Sequence, residues 1–127
     1  MTNETRGQLT YKEINAQTEA LSEALHVGKT ANKWIAKYMD RSDIDEVIFL
    51  GSGSSYYQAM TMAATYRSWL GKSAFALPSS EILLFQSENA VPGKRYLLVG
   101  VSRSGESTEV VEALRLVQKD QDWNICG

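Results

Sequence analysis

At 127 residues the chain suits one small domain or a part of a larger one and is too short for two domains with independent cores. Its 43% hydrophobic and 22% charged residues can build a core, which excludes a disordered or fibrous chain. A formal net charge of -2 offers no broad positive field to nucleic acid, and no apolar run approaches the roughly 20 residues that span a bilayer.

The opening MTNETRGQLTYKE lacks the apolar stretch of a signal sequence, so a cytoplasmic protein with no membrane partner is expected. Thr10 and Glu13 have the spacing of a capping box. Ile14, Thr18, Leu21 and Leu25 then recur at helical period, which predicts a helix over 11–26 with one packed face. Gly28 is expected to interrupt it, and a shorter helix carrying Trp34, Ile35 and Tyr38 follows. A polar connection at 42–45 leads to Val47-Ile48-Phe49-Leu50, a continuous apolar run of the kind a buried parallel strand needs.

A helix is predicted over 55–70 with Gly71 as its stop, its buried side drawn from Ala59, Met60, Ala63, Ala64 and residues 66–70. Residues 73–77 read as a second strand ended by Pro78, and 80–85 as a short helix. Val91-Pro92-Gly93-Lys94 has turn chemistry. Residues 96–101 form the clearest strand, and 109–119 a helix with Val110, Val111, Leu114 and Val117 inward. Trp123-Asn124-Ile125-Cys126 opens a fourth strand. Alternation of strand and helix implies a parallel sheet covered on both faces, a three-layer α-β-α sandwich. Sheets of this type usually continue for another βα unit, so the fold is expected to be truncated after its fourth strand. The organisation expected is a helical lead-in over 1–42 and an incomplete α/β domain over 43–127.

Two strand-to-helix loops carry the chemical signal: Gly51-Ser52-Gly53-Ser54-Ser55, and Ser102-Arg103-Ser104-Gly105-Glu106-Ser107-Thr108. In a parallel sheet both lie at the carboxyl ends of strands, where ligands of open α/β sheets bind. Glycines allow close backbone approach, hydroxyls donate and accept, and helix N-termini favour anions. Together the loops can hold a phosphate without large positive charge. Each also has an ordinary structural use: Ser104 or Ser107 can cap a helix, Arg103 can face solvent, and Glu106 can sit against a helix dipole. The first loop lacks the third glycine of a dinucleotide fingerprint, and neither loop carries the Gly-Lys-Ser/Thr of a nucleotide P-loop.

Cys126, the single cysteine, can close no internal disulfide and has the setting of a buried strand thiol. His26 has no neighbouring Asp, Cys or second His with which to build a zinc site or a triad. No metal and no cofactor is expected.

The run GSGSSYYQA at 51–59 and the run VGVSRSGESTEVVEAL at 99–114 resemble the two signature loops of the sugar isomerase (SIS) domain family. The segment KEINAQTEAL at 12–21 is similar to the stretch that precedes the first such domain in two-domain phosphosugar isomerases, deaminases and deglycases. The resemblance implies a flavodoxin-like topology with no nucleotide, and a sugar 6-phosphate as the small-molecule partner. It implies phosphate contacts at Ser102, Ser104 and Ser107 with backbone help around Arg103 and Gly105, and sugar contacts beside Gly53, Ser54 and Ser55. Arg103 stands where the glucosamine-6-phosphate synthase pattern has glutamine, a departure that resembles the galactosamine and tagatose phosphate isomerase-like branch.

In the family the acid and base groups lie in the second SIS domain or its tail, so the resemblance implies catalytic residues outside this chain. The function expected is the phosphate-binding part of a phosphosugar isomerase or aminosugar-phosphate deaminase. A non-catalytic phosphosugar-sensing domain is the alternative. The edge of an incomplete sheet predicts self-association, and the resemblance implies a homo-oligomer or a C-terminal SIS domain as the partner.

Overall fold

The computed structural model describes residues 7–127, and the chain divides into two compact units between Asp40 and Arg41. The first contains α1 (Gln8–Asn15), α2 (Gln17–Thr30) and α3 (Asn32–Tyr38). Helix α1 starts behind Gly7, whose φ of 91° turns the chain. Thr10 therefore lies inside the helix, and the expected capping box is absent. The pause at Ala16 is slight, because its amide still bonds Lys12 at 3.0 Å and its carbonyl still accepts from Ala20 at 3.1 Å. Gly28 does not interrupt α2; a glycine inside a helix costs only about 1 kcal/mol against alanine. Ile14, Leu21 and Leu25 are all exposed, so the helical unit does not by itself bury the face predicted to pack.

The second unit is an α/β sandwich. Its elements are β1 (Glu46–Gly51), α4 (Ser54–Leu70), β2 (Ala74–Pro78), α5 (Ser79–Phe85), β3 (Tyr96–Gly100), α6 (Thr108–Val117) and β4 (Trp123–Cys126), with a 3-10 turn at Ser87–Asn89 after α5. The four strands form one sheet in the order β2-β1-β3-β4, parallel throughout. This is the order of the flavodoxin-like doubly wound fold.

The sheet's two faces follow from strand alternation. Ile48, Leu50, Tyr96 and Leu98 turn to one face and pack with Ile82 of α5 and with Ala113 and Val117 of α6. On the other face Phe49 meets Tyr66 of α4 edge to face at 6.0 Å. Residues 47–50 are all 1% exposed or less, which is why β1 reads as an unbroken apolar run rather than an alternating one. Each such side chain contributes about 1.5–3 kcal/mol by leaving water.

Helix faces differ from expectation in detail. In α4 the buried residues are Ala59, Ala63 and Tyr66, while Met60, Trp69 and Leu70 are exposed; the strict helical period wins over bulk apolarity. In α6 they are Val110, Ala113 and Val117, so small Ala113 takes the central place assigned to its larger neighbours. A Cβ on Gly100 would lie 2.9 Å from Leu114 and 3.0 Å from Val110, so α6 is pressed close to the end of β3 and the loop between them has little slack. At the edge, Arg41 donates to Asn124 of β4 at 2.9 Å and to both carboxylate oxygens of Asp43. That guanidinium contact lowers the Asp43 carboxyl to about 2.

Candidate functional site

Strands β1 and β3 are neighbours, yet the helices that follow them lie on opposite faces of the sheet. The strand order therefore reverses between them, and the loops after β1 and β3 leave a crevice at the carboxyl ends of the strands. The Val101 amide bonds the Leu50 carbonyl at 2.8 Å, which fixes the root of the second loop to the end of β1.

The first loop is shaped by close packing. A Cβ on Gly51 would collide with the backbone of Ser55 and lie 2.6 Å from the Tyr56 nitrogen, so only glycine lets the first turn of α4 sit this close to its strand. Gly53 has φ 56°, and the turn is closed by Ser55 N to Ser52 O at 3.2 Å and Tyr56 N to Gly53 O at 3.1 Å. Ser54 opens α4 without a side-chain cap and is exposed, whereas Ser52 and Ser55 are half-buried.

The second loop is shaped by its hydroxyls. Ser102 Oγ lies 3.0 Å from Ser107 Oγ and 3.5 Å from Ser104 Oγ, and accepts from the Gly105 amide at 3.1 Å. Ser104 Oγ accepts from the Glu106 amide at 3.2 Å. Gly105, at φ 71°, makes the left-handed turn that brings these groups round. Three hydroxyls and two N–H groups thus crowd one small volume immediately before α6. Hydroxyls both donate and accept, so the same groups can exchange partners with the oxygens of an anion without moving backbone. Arg103 is exposed beside them.

Next to this cluster a cleft of about 370 Å³ opens at the ends of β1 and β2. Gly51, Ser52 and Gly53 form one wall, with Tyr56, Ser79 and Glu109 around them. Of the residues singled out from the sequence, Gly53 lines the cleft, Ser102, Ser104, Gly105 and Ser107 share the hydroxyl cluster, and Ser54 and Ser55 lie in the first turn of α4. Sequence reasoning missed Ser79, Tyr56 and Glu109. Tyr56 and Glu109 follow the loops directly, so their helical offset from the glycines was an available signal. Ser79 reaches the cleft only because β2 pairs with β1 in the register Gly51↔Pro78, which no local pattern announces. Ser79 is 1% exposed, and its hydroxyl has no hydrogen-bond partner, an arrangement that ordinarily costs about 1–3 kcal/mol. Among the described residues no group of His, Cys, Asp and Glu could hold a metal ion, and no helix is long and apolar enough to cross a membrane.

The SIS domain model matches residues 42–126, a span that contains both loops and the whole sheet. Glutamine--fructose-6-phosphate aminotransferase [isomerizing] of Methanocaldococcus jannaschii is 31% identical over 110 residues, 87% of this chain and 9% of that protein. Tagatose-6-phosphate ketose/aldose isomerase from Escherichia coli shares the fold with a TM-score of 0.80 at 23% identity, over 94% of this chain and 33% of that one. An E. coli CFT073 protein solved in complex with arabinose-5-phosphate superposes with a TM-score of 0.51 at 22% identity, over 82% of this chain and 61% of that one. This chain spans only 9% of the length of the aminotransferase and a third of that of the tagatose-phosphate isomerase.

Proposed function

The chain belongs to the SIS domain family, and from that premise we propose that it binds a sugar phosphate as part of a phosphosugar isomerase or aminosugar-phosphate deaminase. The observation that carries the reading is the convergence of Ser102, Ser104 and Ser107, with Ser102 Oγ within 3.5 Å of the other two hydroxyls, at the reversal point of the sheet. A phosphate placed there accepts from the three hydroxyls, with the Gly105 and Glu106 amides beside it. Hydrogen bonds to a charged group are the strong class, about 1.5–3 kcal/mol each, and the start of the ten-residue α6 adds a favourable dipole. Arg103, exposed beside the cluster, supplies a positive charge at the rim. The sugar extends from this anchor towards Gly53, Ser54 and Ser55 and the cleft beyond them.

In this reading residues 1–42 are a lead-in and 43–127 the binding domain. The protein works in the cytoplasm and associates with a second copy or with another SIS domain, which brings the acid and base groups for proton transfer. Calorimetric titration with hexose and hexosamine 6-phosphates tests the binding step. The expected result is saturable binding that requires the phosphate; a folded sample that takes up none of these ligands overturns the reading.

A further inference from the structure

Ser79 is the one described residue whose buried side chain carries a polar atom without a partner. It is 1% exposed and lines the cleft together with Gly51 and Ser52. Its position is set by the sheet: Gly51 pairs with Pro78, so the residue after each strand end, Ser52 and Ser79, stand side by side at the carboxyl edge. Pro78, at φ -58° and ψ 142°, directs the chain out of β2 and into α5. A buried hydroxyl in a natural protein is nearly always hydrogen-bonded, and a purely packing role at this place is filled as well by alanine. No protein group occupies the Ser79 oxygen, which leaves its hydrogen-bonding capacity open to a molecule in the cleft.

We propose that Ser79 is a specificity-determining contact for the sugar portion of the ligand, meeting a hydroxyl or ring oxygen at the β2 side of the cleft. This rests on the phosphosugar reading above and deepens it by dividing the site: charge is held by the serine loop before α6, and the polyol is read by Ser79. Serine has a single side-chain torsion, and staggered rotamers about it are close in energy. Turning Oγ from its buried position into the cleft breaks no hydrogen bond, because none is made. The separation also fits the chemistry of the neighbours, since the cleft has Glu109 on its wall. A carboxylate there repels a phosphate but accepts hydrogen bonds from sugar hydroxyls.

The test compares inorganic phosphate with a hexose 6-phosphate, titrated into the wild-type chain, Ser79→Ala and Ser79→Cys, with urea unfolding of each. Expected is a loss of about five- to tenfold in hexose phosphate affinity in both variants, with inorganic phosphate affinity unchanged and Ser79→Ala at least as stable as wild type. Equal hexose phosphate affinity in the variants and wild type overturns the assignment. So does an equal loss for both ligands, which would make Ser79 a support of the loop or fold. If wild type binds neither ligand, the phosphosugar reading itself has failed and the assignment falls with it. Binding of inorganic phosphate with no gain from the sugar overturns the assignment alone.

Discussion

The loop after β1 is held by its backbone, whereas the loop after β3 is held by its side chains. In the first, Gly51 lets α4 start against the strand, and the closing bonds run from amide to carbonyl. In the second, Ser102 gathers two other hydroxyls and an amide. Two loops at equivalent places in one sheet thus divide the work. The first fixes a wall of the cleft and has little chemistry to exchange, and the second carries groups whose hydrogen bonds can be traded for those of a ligand. A site needs both, because exchangeable donors select a ligand only when the surface opposite them stays put.

Glycine substitutions break this comparison most sharply. Gly51→Ala drives a methyl into the first turn of α4, and overpacking of this kind costs about 2–3 kcal/mol. Gly105→Ala meets open space and pays only for its left-handed backbone, about 1–2 kcal/mol. Urea unfolding should place Gly51→Ala as the less stable of the two. The reverse order would mean that the second loop, not the first, supports the fold.

Serine substitutions sharpen it on the ligand side. Ser104→Ala removes a hydroxyl from the cluster and should weaken hexose phosphate binding about tenfold or more, with little change in the unfolding midpoint. Ser54→Ala, on an exposed first-turn residue, should weaken it about threefold or less. Calorimetry on both variants measures the contrast. Equal losses would show that the two loops share the phosphate evenly and that the division between them is wrong.

Much of this arrangement was legible in the sequence, for definite reasons. The strands at 47–50 and 96–100 are unbroken apolar runs because both faces are covered, and a run of that kind ending in glycine and serine leaves few alternatives. The serine loops stood out because their residue types suit a tight turn between strand and helix and can also offer hydrogen bonds to an anion. What was not legible depended on distance in the chain. The start of α1 differs from expectation because Gly7 turns the backbone before Thr10 can cap it, and Ala113 gives no local signal because its importance lies in how closely α6 approaches β3. Ser79 escaped because its meaning comes from the pairing of Pro78 with Gly51 across the sheet. The cleft is thus a property of strand order, whereas each loop is a property of its own few residues.

Cys126 offers the gentlest probe of the second loop's foundation. It pairs with Val99 in the sheet, three residues before Ser102, and burial raises its thiol from an ordinary 9.0 to about 11. Because the folded value is the higher one, folding favours the protonated thiol. Its contribution to stability is complete below about pH 9 and disappears as the pH climbs towards about 11. The informative quantity is the difference between wild type and Cys126→Ala, which isolates the thiol. The urea midpoint of wild type should fall more steeply between about pH 9 and about pH 11, the span separating the free and buried thiol, than that of Cys126→Ala. Parallel curves would mean that the thiol is as well solvated folded as unfolded. The end of β4 would then be open beside β3, and the second loop would rest on a looser base than the first.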